Sequence, residues 1–216
     1  IEIYLHFLIL AERNAIDVPA EVGERVQQML DALLVLGHPN GTIPQIGDAD
    51  GGWLAPLAAR EPDDCRGVFA VAAAMFNRPD FAWAADGLAP EVVWMLGSNG
   101  VRRFDAVTPH PPAAGASRLL EAGGYAVMRN GWARDAHQLI VDVGPLGDAG
   151  HSHADLLSVQ CHAFGESHLV DPGTYCYTPE PAWRNHFRSS AAHSTVVVDG
   201  RGHAEPRGPF DWTGRP

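Results

Sequence analysis

The sequence has no lysine, so all 15 of its basic residues are arginine. That excludes Schiff-base chemistry and a lysine general base from the outset. Basic charge is scarce as well: 26 acidic residues leave a formal net charge of -11, the reverse of the footprint that neutralises phosphates, so nucleic acid is not an expected partner. The three cysteines, Cys65, Cys161 and Cys176, are far apart and form no C-x-x-C, which excludes a disulfide framework and a thiolate zinc site. No run of about 18 apolar residues occurs, so no membrane partner is expected. The chain begins Ile1-Glu2-Ile3 without a basic segment ahead of an apolar one, and it is expected to be an internal piece of something longer. Glycines follow no strand in a G-x-G-x-x-G pattern and there is no G-x-x-x-x-G-K-[ST], so nucleotide binding has no support.

What is present divides into two textures. Up to about Leu96 the chain is apolar and alanine-rich with helical spacing. Ile1 to about Asn14 is dense enough in apolar residues to predict a helix packed on two sides. Ala20 to Leu36 places Val22, Val26, Met29, Leu30 and Leu33 on one stripe, with Gly37 just past its end. The segment from His38 to Trp53 is a run of turn formers, and shorter helices are expected at Cys65 to Phe76, Phe81 to Ala85 and Pro90 to Leu96. A Pro/Ala/Gly linker around Thr108 to Ala116 marks the change of texture. Beyond it, strands are expected at Tyr125 to Met128, Gln138 to Val143, Leu157 to Phe164, His168 to Val170 and Ser194 to Val198. The fold class is therefore α+β in two segregated parts, with a helical domain at 1–105 and a β-rich domain at 106–216.

Seven of the eleven histidines fall at or after position 151. The tight element is His151-x-His153-x-Asp155, because imidazoles and a carboxylate two residues apart can converge on one side of an extended chain. His151 is open to three roles: metal ligand, base, or partner of Asp155. Asp171, in the turn Val170-Asp171-Pro172-Gly173, and His193 complete a candidate metal set of His153, Asp171 and His193. If Gly165-Glu166 is a two-residue hairpin loop, Phe164 pairs with Ser167 and Gln160 with Asp171. His153 then lies seven residues before Gln160, roughly 23 Å away when extended, so 151–156 must fold back for the set to meet. His162, His168 and His203 read as satisfied polar groups. In Trp183 to Ser190, Arg184 and Arg188 suit bidentate capture of carboxylate or sulfate, with Asn185 beside them and Trp183 as a sugar-stacking face. A loop pinned by arginine to backbone carbonyls is the equal alternative.

Three blocks in this order, Gly150 to Asp155, Leu169 to Tyr175 and Arg184 to Gly200, resemble the heparinase II/III-like family. Ala11-Glu12-Arg13-Asn14 and Gly47-Asp48-Ala49-Asp50-Gly51 resemble the later part of its helical domain, so the likeness covers essentially the whole chain. The resemblance implies the C-terminal part of an α/α toroid followed by a partial antiparallel β-sandwich. It implies a polysaccharide lyase cleaving uronic-acid-containing polysaccharide by β-elimination, with an acidic polysaccharide as partner and a periplasmic or secreted location. It further implies a zinc ion held by His153, Asp171 and His193, with His151 as the active-site histidine. The family's catalytic tyrosine would precede Ile1 on the same helix, leaving Tyr4 as a core aromatic. The rival readings are a metal-dependent hydrolase, since H-x-H-x-D also occurs in metallo-β-lactamase-like enzymes, although Leu156 stands where those carry another histidine, and a noncatalytic carbohydrate-binding protein with the lyase fold.

Overall fold

The computed structural model describes residues 1–49, 51–113, 115–146 and 150–213. The chain divides into two compact units, the first comprising Ile1–Gly37, Gly41–Ile43 and Gly52–Gly115, the second His38–Asn40, Pro44–Gly51 and Ala116–Pro216. Two pieces of the turn-rich loop after the second helix thus belong with the β-rich unit, which a linear reading assigns to the helical one.

The first unit holds α1 (Glu2–Arg13), α2 (Ala20–Leu36), α3 (Arg66–Phe76), α4 (Pro79–Ala85) and α5 (Pro90–Asp105). Proline opens α4 and α5, where its missing N–H is one of the unpaired donors of a first turn. Asn77 and Asp86 close α3 and α4 in the left-handed region. No helix among the described residues is long and apolar enough to cross a membrane. α1 differs from the expectation: it buries the single stripe Leu5, Ile9 and Ala11, while Ile3, Phe7 and Leu10 are exposed. Tyr4, expected in the core, is 47% exposed. α5 also runs past Leu96. Gly97 leaves helical geometry at φ 66° and ψ -162°, and the helix then resumes to Asp105.

α3 is the core element, its Ala70, Ala72 and Ala73 fully buried. Small side chains let a charged pair lie close against it. Arg60 donates to Glu91 through Nε at 2.6 Å and Nη2 at 2.9 Å. A Cβ placed on Gly67 would meet Glu91 Oε1 at 2.5 Å.

The second unit contains a five-stranded antiparallel meander in the order β1 (Arg118–Leu120), β2 (Tyr125–Arg129), β3 (Gln138–Asp142), β4 (Val159–Ala163) and β5 (Glu166–Leu169). It also contains a two-stranded hairpin of β6 (Glu205–Gly208) and β7 (Asp211–Thr213), the helix α6 (Pro181–Phe187) and a single 3₁₀ turn at Ser190–Ala192. Val127 opposite Ile140 puts two buried side chains at the sheet's centre. Trp212 packs with Leu146, Ala154 and Ala204 in a second apolar cluster.

Two expectations fail in instructive ways. The β4–β5 hairpin turns on Phe164-Gly165, not Gly165-Glu166, and the ladder runs Ala163↔Glu166, His162↔Ser167 and Cys161↔Leu169 with a bulge. Both central residues have positive φ, 55° and 81°, as a type I′ turn requires. Phe164 tolerates this with its ring largely exposed and set edge-on to His137 and His168. Ser194 to Val198 is not a strand; the only bridge there is Val198 to Arg201, and Val196, Val197 and Val198 are exposed. β-branched residues favour a sheet only where a neighbouring strand receives them.

On the polar side of β3 and β4, fully buried His162 stacks on His38 with ring centroids 5.5 Å apart, and His38 Nδ1 donates to Gln138 Oε1 at 2.9 Å. Burial, and then the nearby His38, His168 and Arg129, hold the His162 pKa below that of a free imidazole. The unfolded chain therefore binds this proton first, so the stability involved is complete above about pH 6.5 and is lost as pH falls below it. His162→Gln is expected to flatten that part of the stability curve, measured as urea midpoints across the acid range. In the helical unit, Gly67→Ala displaces the Glu91 carboxylate from Arg60, and a loss of about 1–3 kcal/mol is expected in chemical unfolding.

Candidate functional site

The segment that carries His151 and His153 does not continue β4. Ser158 N–H closes a turn onto Asp155 O at 2.7 Å, Leu157 takes φ 62°, and Ala154 N–H donates to Arg188 O at 2.9 Å. The chain therefore folds back before the strand, which is the condition for His153 to reach Asp171.

Both histidines turn toward one carboxylate, Asp48. His151 Nδ1 lies 3.0 Å from Asp48 Oδ2 and His153 Nε2 lies 2.9 Å from Oδ1. Arg184 grips the same carboxylate with both terminal nitrogens, Nη1 on Oδ1 and Nη2 on Oδ2, and Thr174 Oγ1 donates to Oδ1 at 3.4 Å. The main chain adds a fifth link, Asp48 N–H to His151 O at 3.0 Å. Gly47 permits it: φ is 53°, and a Cβ there would sit 2.6 Å from His151 O. Burial works to raise the Asp48 pKa, but hydrogen bonds and charge from Arg184 and His153 outweigh it and hold the carboxyl below the usual range. Asp48 and Arg184 side chains are both fully buried, whereas His151 is 63% exposed.

Beyond His153 the site becomes a ligand set. One ligand atom each from His153, Asp171 and His193 lies within 4.8 Å of the others. Asp171 Oδ2 accepts from His193 Nδ1 at 2.7 Å, and Asp171 Oδ1 accepts from Gly173 N–H at 2.9 Å, so the Asp-Pro-Gly turn aims the carboxylate. Two buried ring nitrogens here have no hydrogen-bond partner, His153 Nδ1 and His193 Nε2. An unpaired buried acceptor costs about 1–3 kcal/mol, so two beside one carboxylate are what an absent cation would leave. Burial, only partly opposed by the hydrogen bond to Asp48, lowers the His153 pKa and keeps the ring in the neutral form that binds metals. The residues fit a zinc-type ion.

A cavity of about 310 Å³ adjoins the set, lined by Asp48, Tyr125, Asp142, His151, His153 and Asp155 among others. Asp155 is pushed up to about 7, first by burial and then by the charges of Asp142 and Asp171.

The structure separates the residues expected to contact substrate. Arg184 and Arg188 are fully buried on α6. Arg184 Nε donates to Pro209 O at 3.0 Å; Arg188 donates through Nη2 to Gly208 O and to Asn185 Oδ1 at 3.1 Å, and lies over the Trp212 ring. Neither guanidinium is presented to a ligand, so in this arrangement they serve as interior struts and not as anion receptors. Asn185 is half-buried and engaged with Arg188. Trp183 is exposed, beside Tyr175, His186 and Phe187. Tyr177 and Phe210 set their rings edge-on to His151. Sequence reasoning missed Asp48 as a site residue because Gly47-Asp48 reads locally as a turn; its place in the site is set by residues about a hundred positions away.

A model of the heparinase II/III-like C-terminal family matches residues 112–216. Among characterised proteins, a heparin-sulfate lyase of Pedobacter heparinus is 23% identical over 188 residues, covering 85% of this chain and 24% of that protein. Among solved structures, a heparinase III gene product superposes with a TM-score of 0.70 at 22% identity, over 93% of this chain and 28% of its own. A mutant of the heparan sulfate lyase HepC from Pedobacter heparinus gives 0.71 at 21% identity, over 93% and 28%. The chain thus spans about a quarter of the length of these relatives.

Elemental analysis of the purified protein is expected to find about one zinc-type ion per chain, and His153→Ala and His193→Ala are each expected to abolish it. Undiminished metal in both variants would remove these residues from the centre.

Proposed function

Residues 112–216 belong to the heparinase II/III-like family, and from that premise we propose that the chain is part of a polysaccharide lyase cleaving uronic-acid-containing polysaccharide by β-elimination. The observation that carries this reading is the position of His151. Its ring is exposed and bordered by aromatic rings, and it is fixed from behind by a buried carboxylate that also holds a candidate metal ligand.

β-Elimination asks for neutralisation of the uronate carboxylate, removal of the C5 proton and protonation of the O4 leaving group as the C4–O4 bond breaks. His151 is the group in this chain placed to exchange a proton with substrate, because Nδ1 faces Asp48 and the other edge of the ring is open. Trp183, with Tyr175 beside it, supplies apolar faces of the kind that stack on pyranose rings. A zinc ion held by His153, Asp171 and His193 would tie three irregular segments together and contribute positive charge next to the cleft wall. Long acidic polysaccharides are met outside the cytoplasm, which makes the periplasm or the exterior the site of action.

The reading is tested by incubating the full-length protein with heparan sulfate, alginate and acidic bacterial exopolysaccharide and following the ultraviolet absorbance of the unsaturated uronate product. Absorbance is expected to rise with one of them, and His151→Ala is expected to lower kcat/KM by about 10²–10⁴-fold. Chain cleavage without new absorbance would replace elimination with hydrolysis.

A further inference from the structure

We propose that Asp48 is a positioning residue that sets the tautomers of two histidines at once, leaving His153 Nδ1 bare toward the metal set and His151 Nε2 bare toward substrate. The inference rests on the reading above for what those two nitrogens then do. The tautomer assignment itself rests only on the geometry.

An ionised carboxylate can only accept hydrogen bonds. A ring nitrogen in contact with it must therefore carry the hydrogen, and in a neutral imidazole the other nitrogen is then a lone pair. Asp48 meets its two rings at opposite atoms, Nδ1 of His151 and Nε2 of His153. It follows that the bare nitrogens are also opposite: Nε2 on His151 and Nδ1 on His153. Independent support comes from His153, whose Nδ1 is buried and has no hydrogen-bond partner, as expected of a lone pair reserved for a cation. On the other side, the side chain of His151 is 63% exposed while Asp48 is fully buried, so the nitrogen away from the carboxylate is the one that can reach solvent or a bound sugar.

The arrangement requires Asp48 to stay ionised, and Arg184 secures that. Its two terminal nitrogens take one oxygen each, which leaves one histidine per oxygen with a defined direction. The rings cannot exchange partners without breaking the buried ion pair. Asp48 N–H on His151 O holds the backbone in register, so the carboxylate cannot follow a ring that rotates away. An amide at this position would present an acceptor to one ring and a donor to the other, forcing one histidine into the wrong tautomer.

The experiment is long-range ¹H–¹⁵N correlation spectroscopy on histidine-labelled protein at mildly alkaline pH, first without metal and then with zinc added. The wild-type protein is expected to show His151 as the Nδ1–H form and His153 as the Nε2–H form before zinc is present. In Asp48→Asn, at least one of the two rings is expected to change form and zinc affinity to fall about 10–100-fold, with Asp48→Glu recovering part of both. His151 as the Nε2–H tautomer in the wild-type protein overturns the proposal without any variant. A folded Asp48→Asn with unchanged tautomers and zinc affinity overturns it as well, reducing Asp48 to a structural partner of Arg184. The spectra recorded before zinc decide the role of Asp48 whether or not zinc then binds, so this inference and the metal reading can fail separately.

Discussion

The site depends on one buried ion pair, Asp48 with Arg184. Both side chains are fully removed from solvent, and each would be strongly unfavourable there alone. The pair persists because the hydrogen-bonding capacity of both groups is used. The carboxylate accepts from Arg184 twice and from His151, His153 and Thr174, while the guanidinium spends its Nε on Pro209 O. A buried pair of this kind adds little net stability compared with an apolar replacement, but removing one partner strands the other at a cost of about 3–5 kcal/mol. Its value here is directional, since it determines which way two imidazoles face.

That requirement explains why arginine, and not another cation, occupies position 184. A planar fork can meet both oxygens of one carboxylate and still extend a third donor elsewhere, which a lysine ammonium on a flexible stem cannot do from a fixed direction. The same logic covers Arg188 one turn later on α6, which braces Gly208 O and lies over Trp212. The helix therefore has two working stripes. Arg184 and Arg188 point inward to hold the site, while Trp183 is exposed beside the partly buried Phe187.

The helical half was legible because 3.6-residue periodicity, proline at helix starts and breakers between helices are local signals, and five helices lie where they predict. Strands β2 to β5 were legible for similar reasons. His153, Asp171 and His193 could be singled out because a histidine pair two residues apart and an Asp-Pro-Gly turn carry chemistry in their own spacing. What failed was non-local. The valines at 196–198 have strand propensity but no ladder to join, and Phe164 occupies a positive φ that local rules reserve for glycine or asparagine. The donors of Trp183 to Ser190 were read as facing outward because a list of residue types has no inside. The four-residue spacing of Arg184 and Arg188 was the available clue that they share a helix face.

The ligand set itself sits on irregular backbone: a turn before β4, a turn after β5 and the residue following a 3₁₀ turn. Such segments lack the repeating hydrogen-bond ladder that fixes a strand, so side chains must supply the constraint. Asp48 provides it for the first segment, Gly173 N–H on Asp171 for the second, and the Asp171–His193 contact joins the second to the third. The link still missing is between His153 and the other two, and it is there that the two unpaired buried nitrogens remain. A cation bound at this point would close a chain of contacts running from Arg184 through Asp48 and His153 to His193. Ordering the cleft wall and orienting its exposed histidine would then be one event, governed by the same carboxylate.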